Sequence, residues 1–406
     1  MKFRDWFSLC IAVAMLALWP ASGALAFSVS GRSSTEIEMY DNGEGNQVAP
    51  AYEYLLLNVD DIDGHGLNFR GYGRLGKTLK GDSFDTDSHL YYAYLEKKDL
   101  FQHLDFRLGR QFIATTAGAS LMDGLSLDYH GLGPMSLKLF GGGDVAYYDG
   151  YNAQDLVSGA ELSGRFLETL KLGVSYLAKW KEGRMDEQLF GLNGDYDFRN
   201  MLHAYTEVQF DYLTNSVSYF LGGLQYHASR KWNLRTEYLY SLPVFSASSI
   251  YSVFAVDEYQ QALAELNYFL TDSVRAFGRY THEFYQDASD ADVFEVGVEK
   301  IRTERFSGYL TGVVRSAGNG GQDLNGVKAR AAYLFNRYLQ AGIGGELNVL
   351  DRRIDEDNND TTSTRLWTDA TAYLTRKVTV QAKVERIDSN TWGNYYQGRV
   401  RLNVLF

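Results

Sequence analysis

From residue 27 to the end of the chain, apolar and polar side chains alternate over short stretches separated by glycine, asparagine and aspartate. The last stretch is the clearest. Tyr396, Gly398, Val400, Leu402, Val404 and Phe406 fall on one face, and Tyr395, Gln397, Arg399, Arg401 and Asn403 on the other. A period of two predicts a β-strand. An apolar face backed by a charged one over about ten residues suits a strand with lipid on one side and a wet lumen on the other. The same alternation opens the region, with Phe27, Val29, Gly31, Thr35, Ile37 and Met39 on one face. Further strands are predicted near 51–60, 66–78 and 89–97, then through 104–111 and 123–127. The pattern continues near 137–148, 156–166, 172–180, 187–198, 202–212, 217–228, 232–242 and 257–269. It ends with 274–285, 291–301, 304–315, 324–335, 338–350, 363–374, 378–387 and 394–406. The expected fold is all-β, a transmembrane antiparallel up-and-down barrel of 20–22 strands, with 18 possible if hairpins merge, and without a plug domain.

Composition narrows the class. No apolar run after the N-terminus is long enough to cross a bilayer as a helix, which excludes a helical membrane protein. Four prolines, forty glycines and thirty tyrosines suit many strands, tight turns and aromatic girdles. A secreted solenoid or propeller would show a fixed internal repeat, and the sequence has none. The net charge of −12 argues against nucleic acid as a partner. At the N-terminus, Lys2 and Arg4 precede an apolar run from Trp6 to Trp19 and the small-residue exit Ala24-Leu25-Ala26. This predicts a secretory signal over 1–26, cut before Phe27, and a single barrel domain over 27–406. The one cysteine, Cys10, lies inside that signal, so the mature chain has no thiol, disulfide or cysteine ligand.

The terminal strand closing on Phe406 resembles the C-terminal signature of bacterial outer-membrane barrels, which implies that their assembly machinery reads it. The stretch Phe106-Arg107-Leu108-Gly109-Arg110-Gln111 followed by Asp123-Gly124-Leu125-Ser126-Leu127 resembles the strand pair flanking the inward-folded loop of porin-like channels. The resemblance implies an integral outer-membrane channel in which Phe112 to Met122 is a constriction loop. Connections alternate between very short, as at Arg199-Asn200 and Asn336-Arg337, and long and polar, as at Asp351 to Thr362. Short turns belong to the periplasmic end and long loops to the outside.

The lumen face of the second half is expected to carry Arg275, Arg279, Glu283, Glu295, Glu299, Arg305, Arg315, Lys328, Arg330, Arg365, Asp369, Lys383, Glu385, Arg399 and Arg401, with Arg107 and Arg235 from earlier strands. Signs alternate between neighbouring strands, so the set reads either as a hydrated wall of cross-strand pairs or as a basic ladder that selects anions or docks a partner. No nucleophile motif accompanies the seven histidines, and His203 and Glu207 lie about 13 Å apart along a strand, so catalysis is not expected. The acidic clusters Asp60, Asp61, Asp63 and Asp351, Asp355, Glu356, Asp357, Asp360 lack full calcium-loop spacing, and no metal site is expected. Without a Cys-x-x-Cys-His motif the chain binds no c-type haem covalently. Width then divides the functional readings. A barrel of 16–18 strands leaves an aqueous channel, whereas one of 22 is usually filled. The chain therefore reads as a porin-like channel for small hydrophilic solutes. The alternative, from resemblance in size and short loops to porin–cytochrome conduits, is a sheath around a periplasmic or extracellular multihaem cytochrome, with haem present only through that partner.

Overall fold

The computed structural model describes residues 27–406 except 43–44, 82–86, 147–149, 243–257, 287–288, 302–303, 319–322, 351–360 and 391–392. The signal segment, the tip at Tyr147–Asp149, the loop from Pro243 to Val256 and the second acidic cluster lie outside the described residues.

The first half of the chain forms β1 (Ser28–Asp41), β2 (Gln47–Asp60), β3 (Leu67–Lys80), β4 (Asp87–Leu100), β5 (Leu104–Thr115), β6 (Gly118–Leu132), β7 (Met135–Ala146), β8 (Gly150–Phe166), β9 (Leu170–Lys181), β10 (Arg184–Phe198) and β11 (Leu202–Asp211). The second half forms β12 (Ser216–Ser229), β13 (Trp232–Ser241), β14 (Tyr259–Thr271), β15 (Val274–Phe284), β16 (Ala291–Lys300), β17 (Phe306–Ala317), β18 (Leu324–Asn336), β19 (Leu339–Leu350), β20 (Thr361–Tyr373), β21 (Val378–Ser389) and β22 (Gly393–Leu405). Each strand pairs antiparallel with its chain neighbours, and β22 pairs with β1, from Arg32↔Leu405 to Tyr40↔Gln397. The sheet is a closed barrel of 22 strands.

This corrects the range expected from the sequence, since neither 18 nor 20 strands occurs. The shortest connections are real turns and do not merge hairpins. Arg199 and Asn200 adopt φ of 54° and 56°, the left-handed pair of a tight hairpin turn, closed by the Met201 N–H donating to the Phe198 carbonyl (2.9 Å). In the turn between β18 and β19, Asn336 Oδ1 accepts the N–H groups of Tyr338 (2.8 Å) and Leu339 (3.0 Å). The start of β1, the end of β22 and most of the short turns share one end of the barrel. The longest connection, between β13 and β14, is at the other end, which is the outer end by the usual asymmetry.

Closure at the terminus uses Phe406 itself. Its N–H and C=O each exchange a 3.2 Å bond with Gly31, and a Cβ on Gly31 would fall 2.6 Å from the Phe406 ring. Gly31 is therefore the seat of the terminal aromatic. Deleting Phe406 should lower the yield of folded barrel several-fold, read as loss of the compact form on unheated gels, and Gly31→Leu should do the same.

Candidate functional site: the lumen wall and an inward hairpin

Along most strands one row is mainly apolar and the other mainly polar. Val400 and Leu402 on β22 are exposed to the surroundings, while Arg401 on the opposite face reaches Glu36 of β1 (3.2 Å). The polar rows form the lumen wall. Twenty-two strands at about 4.8 Å spacing and about 40° tilt would give a circular barrel roughly 44 Å across between backbones. No single hairpin can close that width.

One hairpin does enter it. The residues from Phe112 to Met122, expected to be a loop, continue β5 and β6 as paired strands to a tight tip, where Thr115 Oγ1 donates to the carbonyl of Gly118 (3.1 Å). The expectation of a loop is corrected: the residues on either side of the tip are paired strand. The tip lies on the inner faces of β9, β10 and β11. The Ala117 N–H donates to Ser175 Oγ (2.8 Å), Gln209 Nε2 donates to the Ala117 carbonyl (2.7 Å), and Thr116 Oγ1 donates to Asn193 Oδ1 (3.0 Å). Ile113, Ala117 and Met122 bury against Phe140, Val157, Leu177 and Leu189, an apolar patch on an otherwise polar wall. Met122 and Leu177 are fully buried, whereas Phe112 on the opposite face of the hairpin is 62% exposed. Full burial of each large side chain is worth about 1.5–3 kcal/mol, enough to hold the hairpin down.

Glycines make the bend. Gly109, Gly124 and Gly142 form one cross-strand row on the lumen face of β5, β6 and β7. A Cβ on Gly124 would come 2.2 Å from the Gly141 carbonyl oxygen, and one on Gly142 would come 2.4 Å from that of Asp123. At Gly109, φ of 126° adds a backbone that other residues rarely adopt. Folding a sheet corner inward crowds the inside of the crease, and only residues without side chains fit there. Gly191 completes the seat, since a Cβ on it would lie 2.2 Å from the Ala117 nitrogen. Just beyond the crease, buried Gln111 donates to the Gly124 carbonyl (3.1 Å) and accepts from Ser126 Oγ (2.8 Å).

The wall is paired charge by charge. Arg275 meets Glu299 (2.7 Å), Arg279 bridges Glu265 (2.6 Å) and Glu295 (3.2 Å), and Arg315 meets Glu283 (3.0 Å). Arg330 meets Asp369 with two bonds (3.1 and 2.6 Å), Lys383 meets Glu385 (2.5 Å), Arg235 meets Glu237 (2.5 Å), and Lys328 lies 3.7 Å from Glu346. Arg107 reaches Glu96 at 3.4 Å and covers the Tyr94 ring. Arg365 is exposed on β20, and Arg399 lines a small recess with Glu38, Lys383 and Glu385. Arg305 departs from expectation: it sits in the turn before β17, where its carbonyl accepts from Leu334, because β17 starts two residues later than predicted. Most cations of the wall thus face a carboxylate within 4 Å.

The sequence reading missed the tyrosines of β2, β3 and β4. Tyr54, Tyr72 and Tyr91 stack in succession (6.4 and 4.8 Å between ring centres), with Tyr52, Tyr92 and Tyr94 beside them, and Arg74 and Arg401 lie over Tyr52 and Tyr54. The signal was present in the spacing 52/54 and 92/94. His203 meets Asp195 across the β10–β11 pair (3.1 Å), which leaves Glu207 apart as expected. In the first acidic cluster, Asp60 pairs with Arg70 (2.5 Å) and Asp63 accepts from the N–H groups of His65 and Leu67 (2.9 Å each) and meets Lys97 (3.0 Å). These carboxylates clamp a turn, and among the described residues no group of three metal-ligating side chains converges.

A closed antiparallel barrel with an apolar outer band and a polar interior is the architecture of outer-membrane β-barrel proteins, since lipid leaves no backbone group unpaired. The chain is an integral outer-membrane β-barrel protein. No family model matches it, and no curated protein matches it. Among solved structures it is similar to the P pilus usher translocation pore (10% identity, TM-score 0.49, covering 93% of this chain and 99% of that one). It is also similar to OpdQ of Pseudomonas aeruginosa (10%, 0.46, 94% and 98%) and OccAB1 of Acinetobacter baumannii (7%, 0.45, 94% and 96%).

Two outcomes test this site. Gly124→Val should unseat the hairpin and raise single-channel conductance severalfold over wild type. The Leu67 N–H, and after it Lys97, holds the Asp63 carboxyl below its ordinary value of 3.8. The clamp is therefore in place above that value and is lost only as pH falls through the depressed one. Amide exchange should show Leu67 protected from neutral pH down to pH about 4, and unprotected throughout in Asp63→Ala.

Proposed function

We propose that the protein is an outer-membrane channel for small hydrophilic solutes, narrowed from one side by the β5–β6 hairpin. The observation that carries this reading is a water-suited, ion-paired wall around a wide lumen, with one hairpin seated against it by its own apolar patch. Such a pore discriminates by size and by the tyrosine–arginine band of β2–β4, and it performs no chemistry on its solute. Because most cations of the wall face a carboxylate, the wall presents little net charge and little reason to prefer anions. Its partners are the surrounding lipid and the assembly machinery that reads the terminal strand. No feature of the wall favours the alternative of a sheath around a cytochrome.

The purified barrel in a planar bilayer should give ohmic steps, with cation and anion permeabilities within a few-fold of each other. Arg330→Met, which leaves Asp369 without its two bonds, should tilt permeability toward cations. A barrel that is folded yet silent would exclude the channel.

A further inference from the structure

The upper part of the β5–β6 hairpin is absent from the barrel wall because it is folded inside. The ladder between β4 and β5 stops at Ala93↔Arg110, and that between β6 and β7 stops at Met122↔Asp144. Above these pairs no described strand stands between β4 and β7. The part of β5 still in the wall, from Leu104 to Arg110, rises roughly 17 Å at about 3.3 Å per residue and about 40° tilt. The apolar band of such barrels is about 25 Å tall. The wall therefore has a notch that reaches down into the outer leaflet.

Folding inward also redirects a face. Leu108, Phe112 and Ala114 on β5, with Leu125, Leu121 and Ala119 on β6, share one continuous face of the hairpin. Below the crease this face meets lipid. Above it the opposite face is pressed on the wall, so the same apolar stripe turns toward the notch and the lumen, with Phe112, Ala114 and Ala119 exposed. A single polar step interrupts it: Arg110 and Asp123 form two bonds of 2.8 Å, and Arg110 also donates to the Leu90 carbonyl (3.5 Å). Beside this step the outer surface is hollowed by about 790 Å³, over Gly71, Gly73 and Ala93 and between Leu57 and Leu90, with Arg110 in its lining.

We propose that the notch is a lateral port through which a long-chain carboxylate passes between the outer leaflet and the lumen. The tail fits the hollow and the stripe. The carboxylate has the charge and the two-oxygen geometry of Asp123, and so exchanges with it on Arg110. A sugar would gain nothing from the apolar stripe, and a plain hydrocarbon nothing from the ion pair. The port is distinct from the axial path for hydrophilic solutes, so either can hold without the other.

The test uses the full barrel in proteoliposomes with a long-chain fatty acid carrying a diazirine near its tail, photolysed and mapped by mass spectrometry. Label is expected on Phe112 or Leu121 in wild type, and should fall at least fivefold in Ala93→Trp, which fills the hollow. Compact migration on unheated gels establishes that the variant is folded. If Ala93→Trp does not fold, Leu90→Trp serves in its place. Label confined to outward-facing residues, or hairpin label that is undiminished when the hollow is filled, would overturn the port.

Discussion

Lipid satisfies no backbone hydrogen bond, and every other feature of this molecule follows from that. A sheet in a bilayer must close, and here closure falls to β1 and β22, whose ladder ends in the reciprocal bonds between Gly31 and Phe406. The number of strands then sets the width. At 22 the barrel is wide enough that its own side chains cannot fill it.

The β5–β6 hairpin is the response to that width. Its upper part gives up its place in the wall and uses its lumen face to cover Phe140, Val157, Leu177 and Leu189. Apolar burial and the bonds of Ala117 to Ser175 and Gln209 offset the ladder lost to β4 and β7. The glycine row at Gly109, Gly124 and Gly142 permits the turn, and the shortened wall is its structural consequence. Constriction and notch are thus two results of one bend.

Much of this was legible in the sequence. Alternation through Tyr396–Phe406 and along the earlier strands marks lipid and lumen faces because a pleated strand leaves a side chain only two directions. The number of strands was bracketed too widely, because a two-residue turn such as Arg199-Asn200 has no side-chain period of its own. That the stretch between Gln111 and Asp123 enters the lumen was visible by resemblance, but its extended form was not. Thr115 to Gly118 is the turn, and the residues on either side of it are kept in strands by a distant patch on β7–β10. The charged rows follow from alternation, while their one-to-one pairing depends on register, which a single sequence does not state. Arg305 shows the limit: a two-residue error at a strand start moves a side chain from wall to turn. The signal in Leu156-Val157 and Leu177-Ala178, apolar residues on both faces at once, marks the seat of the hairpin only after the tip is known to rest there.

The docking of the hairpin tip on β9 is the claim on which the constriction and the notch both rest. After Cys10 the chain carries no cysteine, so the variant Ala117→Cys with Ser175→Cys, made with Cys10→Ser, reports on that contact alone. The account predicts rapid disulfide formation on mild oxidation in intact outer membranes. Failure to cross-link, in a barrel that migrates as folded and in which a cysteine pair placed on the β1–β22 seam does cross-link, would contradict it.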